Sequence, residues 1–161
     1  MFSGIQYKEK EEWWQVVIAD ESALSGESLI RLLQLVSQHV SAQFVVLDDI
    51  EGAGEGINGL VSDDETLLVL SVQAVIDCAR AVVQFDWGDF FLLGHKEEAV
   101  QWLPGAPYDD SVRKALVTIR AVDDTYFYIY TRNKDLVDVL VKNYPQAEVW
   151  KGPIKGLEFP Y

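Results

Sequence analysis

The stretch Arg113 to Thr131, RKALVTIRAVDDTYFYIYT, constrains the fold more than any other part of the chain. It reads as two runs of alternating residues joined at Asp123-Asp124, and such alternation calls for a pair of strands. A two-residue turn at the aspartates pairs Val122 with Thr125, Ala121 with Tyr126, Ile119 with Tyr128 and Val117 with Tyr130. One face of the hairpin is then aliphatic plus tyrosine. The other sets Leu116, Thr118 and Arg120 against Thr131, Ile129 and Phe127. Both faces are apolar enough to be covered, so the pair belongs inside a sheet with material packed on each side. Asp-Asp is a poorer turn than Asn-Gly, because neither residue escapes the steric cost of a positive φ, and a longer loop would shift the pairing.

The rest of the chain supplies partners for that hairpin. Residues 4–8 and 13–19 read as short strands. Ser25 is placed to cap a helix from Glu27 to about Ser41, since Leu29, Leu32, Leu33, Val36 and Val40 fall on one stripe. Residues 43–47 form a strand, and 48–65, DDIEGAGEGINGLVSDDE, a loop by composition. Ser62 and Glu65 have capping-box spacing ahead of Thr66 to Val83, which is apolar nearly all round. Length favours a buried helix there, with a strand over 67–72 as the alternative. A strand over 85–93 follows, in which Gly88 marks a bulge or a close backbone approach.

Residues 95–103 read as a short helix, 104–112 as a loop, 134–143 as a helix apolar at Leu136, Val137, Leu140 and Val141, and 147–150 as a strand. The remaining tail holds too much Gly and Pro for a regular element. The adjacent Trp13 and Trp14 point to opposite faces of their strand, which leaves at least one partly exposed. The expected fold is α+β, or mixed α/β. It is a single domain over residues 1–161, with a central, mostly antiparallel sheet and about three main helices packed on it.

Charge narrows the partners. The chain carries 26 acidic against 13 basic residues, a formal net charge of −13. Residues 1–110 hold 20 acids and 5 bases, and residues 111–161 hold 6 and 8. A surface this negative repels phosphate backbones and anionic lipids and hastens association with basic proteins, so nucleic acid and membrane are excluded as partners. No apolar run is long enough to span a bilayer, and the N-terminus turns acidic where a signal peptide would be apolar. Cys78 is the single cysteine and has no internal partner, which suits a cytoplasmic location.

Two motifs invite chemistry and neither holds. Gly54-Glu55-Gly56-Ile57-Asn58-Gly59 matches G-x-G-x-x-G after a strand, but the surrounding Asp48, Asp49, Glu51, Glu55, Asp63 and Asp64 would repel a pyrophosphate. Aligned as a calcium loop from Asp49, the segment puts Ala53 and Leu60 where oxygen donors belong. Cys78 lies in the most apolar segment, His39 at the edge of an amphipathic stripe, and His95 after a strand end. These form no triad or metal set. The expectation is a protein without catalytic residues, cofactor or metal. Were it a small enzyme instead, Asp86, Asp89 and His95 would be the cluster to test; a regulatory subunit of a host complex is the other alternative.

The WGDFF segment, Trp87 to Phe91, together with the AVDDTYFYIYT hairpin followed by KDLVDVL, resembles the bacterial immunity proteins of contact-dependent and other polymorphic toxin systems. The resemblance implies a small cytosolic protein that binds and blocks a toxin, often a basic nuclease, made by its own cell. The physical reading agrees, since carboxylates can occupy a cationic site built for phosphates. The expected contact surface is Asp48, Asp49, Glu51, Glu55, Asp63, Asp64, Asp86 and Asp89, with Trp87 as an aromatic anchor.

Overall fold

The computed structural model describes residues 11–20, 22–63, 67–103 and 105–161. Among these residues seven strands build one antiparallel sheet: β1 (Trp13–Ala19), β2 (Phe44–Ala53), β3 (Leu68–Ser71), β4 (Gln84–Leu93), β5 (Val117–Val122), β6 (Tyr126–Thr131) and β7 (Glu148–Gly152). Their order across the sheet is β3-β2-β4-β5-β6-β1-β7. The helices are α1 (Gly26–Val40), α2 (Val72–Ala79), α3 (Tyr108–Lys114) and α4 (Lys134–Asn143). This is the expected α+β fold in a single domain.

Each face of the sheet has its own core. On the first, which we call the helical face, α1, α2 and α4 lay Leu29, Leu33, Val36, Val75, Leu136 and Leu140 over Val16, Val45, Phe90, Ile119 and Ile129. The α1 stripe is the one read from the sequence. Ser25 caps the helix, its Oγ accepting from the Ser28 N–H while Ser28 Oγ accepts from the Ser25 N–H. On the second, the strap face, Val112 of α3, Trp102 and the C-terminal residues Ile154 and Leu157 cover Trp13, Val46, Phe91, Leu93 and Tyr130. Because both faces are covered, Trp13 and Trp14 are both buried, at 1% and 8% exposure. The expectation that one of them stays partly exposed is overturned.

The hairpin departs from the expected register by one residue, and the whole site depends on that residue. Asp123 and Asp124 do form the turn, both at positive φ (50° and 52°), with the Thr125 N–H donating to the Val122 carbonyl at 3.1 Å. Asp tolerates this conformation when local bonds hold it, and here Thr125 Oγ1 donates to Asp123 O (2.9 Å) and Asp124 Oδ1 (3.0 Å). Thr125 is then an extra residue, so Val122 pairs with Tyr126, Ala121 with Phe127, Ile119 with Ile129 and Val117 with Thr131. A slip of one exchanges the faces. Tyr126, Tyr128 and Tyr130 therefore stand beside Thr118 and Arg120 on the strap face, not among the aliphatic residues.

Other elements also differ from expectation. The run after residue 66 is not one long helix: Leu68–Ser71 pairs with Phe44–Leu47 as a strand, and Ser71 Oγ, accepting from the Ala74 N–H at 3.1 Å, starts a separate helix. A capping serine in mid-run outweighs length as a boundary signal. β2 continues to Ala53, so the first third of the acidic segment is strand and not loop. Tyr108–Lys114 is a helix that takes up the end of the expected loop and the start of the expected hairpin stretch, with Asp109 and Asp110 in its first turn and Arg113 and Lys114 in its last, matching the helix dipole. The expected strand over 4–8 and the Ser62–Glu65 capping box fall wholly or partly outside the described residues. Among those described, no helix is long and apolar enough to cross a membrane.

Candidate functional site

Strand register draws a line of side chains across the strap face: Asp48 on β2, Asp89 on β4, Arg120 on β5, Tyr128 on β6, Val17 on β1 and Glu148 on β7. At its centre Asp89 and Arg120 form a two-pronged ion pair, Nε to Oδ1 at 2.7 Å and Nη2 to Oδ2 at 2.9 Å. The Tyr108 hydroxyl donates to Asp89 Oδ1 at 2.8 Å. The guanidinium lies 3.7 Å from the centre of the Tyr108 ring and 5.1 Å from that of Trp87, and its Nη1 donates to the Pro160 carbonyl at 2.6 Å.

An arginine in an apolar strand is tolerated only when its charge and donors find acceptors, and here each of the three guanidinium nitrogens has one. Burial opposes the Arg120 charge, but the hydrogen bonds and charge of Asp89 outweigh it and hold the group above its ordinary value. Burial likewise pushes the Asp89 carboxyl up against the pull of Arg120 and Tyr108. The Tyr108 phenol is driven well above its ordinary range by burial and then by the Asp89 charge, so it remains a donor.

The C-terminal segment closes over this centre as a strap. The Glu158 N–H donates to Gln15 Oε1 at 2.6 Å, the Tyr130 hydroxyl donates to the Glu158 carbonyl at 2.5 Å and the Tyr128 hydroxyl to Glu158 Oε1 at 3.1 Å. The Phe159 ring packs 5.1 Å from Tyr108 and 5.0 Å from Tyr130, both edge to face.

The residues expected to form the contact surface divide. Asp89 is corrected: at 2% exposure its carboxylate belongs to Arg120 and Tyr108 and is not offered to a partner. Asp48 is the direct cross-strand neighbour of Asp89, and Glu51 that of Trp87, so these three stand on the strap face beside the buried pair. Trp87 is half-buried over Arg120. Asp49 sits at a bulge, at φ 55°, which keeps Ile50 in the helical-face core. Gly88 opposite makes room for that bulge, since a Cβ there would lie 2.6 Å from Ile50 Cδ1. Glu55, Asp63 and Asp86 are exposed, and Asp64 lies outside the described residues. Among the described residues none of Asp48, Asp49, Glu51, Glu55, Asp63 and Asp86 is ion-paired.

Asp48 is exposed, yet it stands directly against the buried Asp89. Partial burial first, then the charges of Asp89 and Asp49, push its carboxyl above the ordinary value, with Arg120 only partly opposing them.

The glycine motif has a packing role. Residues 55–59 form a 3-10 turn laid against the end of α2, the Gly56 N–H donating to Ala81 O at 2.9 Å. A Cβ on Gly56 would overlap the Cys78 carbonyl, one on Gly54 would lie 2.6 Å from Ala81 O, and one on Gly59 would lie 2.5 Å from Cys78 Sγ. The glycines thus serve the close packing of this turn against the end of α2.

Asp86, Asp89 and His95 do not come together. Asp86 is near the start of β4, Asp89 is buried in its middle and His95 lies past its end, where it precedes a 3-10 turn and its N–H donates to Glu98 Oε1 at 2.8 Å. Among the described residues no three His, Cys, Asp or Glu side chains are grouped to hold a metal ion. Sequence reasoning missed Arg120, Tyr108 and Glu158. The signal was present in Arg120 itself, because a charged residue between Ile119 and Ala121 in a buried strand demands a buried acid. No family model, no curated protein and no solved structure matches this chain.

Proposed function

We propose that this protein is a noncatalytic binding module that docks a basic protein partner against the acidic side of its strap face, and that the partner is a cationic toxin neutralised by the docking. The observation that carries the reading is Asp48, held beside Asp89 and Asp49 at a position where its own charge is disfavoured. Asp48, Asp49 and Glu51 all lie on one strand, with Trp87 beside them. Fixed strands present these groups without reorganisation, an unpaired carboxylate gains most from an incoming cation, and Trp87 supplies a rigid apolar anchor. The segments that resemble toxin-immunity proteins, Trp87 to Phe91 and Ala121 to Thr131, both contribute side chains to this face.

The test is to capture the partner from the native cell and measure its binding kinetics against wild type and an Asp48→Lys/Glu51→Lys/Glu55→Lys variant. The variant is expected to associate about tenfold or more slowly at low salt, with a smaller change in dissociation. Association that ignores both salt and these reversals would sink the proposal. So would a captured partner that is not basic.

A further inference from the structure

Beyond the strap, between β6 and β7, the same face opens into a groove of about 400 Å³. Its origin is the size of the side chains on the strand between them. β1 contributes Val17 and Ala19, which form a low floor, while Tyr126 and Tyr128 rise from β6 on one side and Glu148 and Trp150 from β7 on the other. Glu158 of the strap closes one end. The groove is thus walled by three aromatic rings and two carboxylates, and among the described residues no basic side chain lines it.

Tyr126 and Trp150 are 40% and 44% exposed, a large opening for rings that would gain by burial. Tyr126 and Tyr128 meet edge to face, at 6.3 Å and 80°, so their π faces turn in different directions. Neither carboxylate is ion-paired among the described residues; Glu158 accepts only the neutral Tyr128 hydroxyl. The Tyr128 phenol is pushed up to about 12, by burial first, then by its bond to Glu158 and the charges of Glu158, Tyr126 and Glu148. It therefore stays neutral, and the fields of both carboxylates converge on it.

We infer that this groove is a binding site for a cationic side chain, a lysine or arginine presented by the protein partner. The ring faces attract the cation through their quadrupoles, and Glu148 and Glu158 supply charge and hydrogen-bond acceptors at the mouth. An apolar side chain would leave the carboxylates stranded, and an anionic one is repelled. The inference rests on the proposed docking of a basic partner and names the second place where that partner is held, separate from Asp48, Glu51 and Trp87.

The experiment uses the full chain, labelled with nitrogen-15, and three short peptides: Ac-Gly-Lys-Gly-amide, Ac-Gly-Arg-Gly-amide and the acetyl-lysine form of the first. The Trp150 indole resonance, assigned with Trp150→Phe, is the reporter. The two charged peptides are expected to shift it saturably and the acetylated one to leave it still. Glu148→Gln is expected to weaken binding about threefold to tenfold, and Trp150→Ala about tenfold. Both sites are exposed, and unchanged melting curves verify that the variants fold.

A shift caused equally by the acetylated peptide, or no Trp150 shift at all, overturns the cation site. Shifts confined to Trp87 and the strand around Asp48 overturn it too, while leaving the docking proposal intact. Saturable binding at Trp150 together with failure to capture any basic partner would uphold the groove and remove only the proposed function.

Discussion

Two halves of the strap face are made from the same residue types and use them in opposite ways. Under the strap, Asp89, Arg120, Tyr108 and Tyr130 bond one another and the C-terminal backbone, so that acid, base and phenol are all committed internally. Outside it, Asp48 and Glu51 on one side and Glu148, Tyr126 and Trp150 on the other carry charge and ring surface with no ion pair among the described residues. A charged group buried in a sheet must be satisfied from within, because breaking such a pair leaves an uncompensated charge. A polar group at the rim is under no such demand, so its placement is open to selection for something else. The lesson is that satisfaction, and not residue identity, separates the structural half from the candidate binding half.

The comparison breaks hardest at Arg120. Arg120→Met strands the Asp89 carboxylate in the sheet and should cost about 3–5 kcal/mol in urea denaturation. A loss below about 1 kcal/mol would mean the pair is not the keystone of its half. Deleting residues 158–161 removes the Pro160 acceptor and the Phe159 ring and should cost about 2–3 kcal/mol, with a rise in dye binding to the uncovered tyrosines.

Alkaline pH probes the phenols on both sides of the strap. Tyr128 titrates at about 12 in the fold against an ordinary 10.0, so the unfolded chain releases that proton first. The stability this phenol contributes is complete below pH 10 and is lost as the pH rises through about 12. Burial raises Tyr108 and Tyr130 as well, which steepens the decline. Melting temperature followed against pH should fall over that window, and less so in Tyr128→Phe.

The smallest effects belong to the open half. Asp48→Asn, Glu148→Gln and Trp150→Ala should each leave stability within about 0.5 kcal/mol of wild type. For Asp48 the sign is informative. Its folded carboxyl is raised, so its charge weighs against the fold at neutral pH, and Asp48→Asn should be neutral or slightly stabilising while slowing partner association. A clear loss of stability from Asp48→Asn would make it a structural residue and erase the distinction between the halves.

Much of the scaffold was legible in the sequence because its signals are local. Ser25 and the Leu29 to Val36 stripe mark α1, Pro145 and the Leu136 to Leu140 spacing mark α4, and the alternation in β5 and β6 marks the hairpin. The site was less legible because its decisive facts are nonlocal. One extra residue at Thr125 sets which face the tyrosines occupy, and no composition rule counts that residue. Asp89 looked like surface because it stands beside Trp87 in an acidic region, and only pairing with β5 shows Arg120 waiting for it. The glycines at 54, 56 and 59 resembled a phosphate loop because the same lack of a Cβ serves two ends, and what lies opposite them is distant in sequence.

The bond between Gln15 and Glu158 spans 143 residues of sequence, and β1 lies between β6 and β7. During synthesis this strand must therefore wait for neighbours translated much later, with Trp13 and Trp14 unsheltered in the meantime. Contacts of this range form slowly and expose aggregation-prone surface before they do. Cells making this protein are accordingly expected to need chaperone holding of the nascent chain, and refolding in vitro should be slow and strongly concentration-limited.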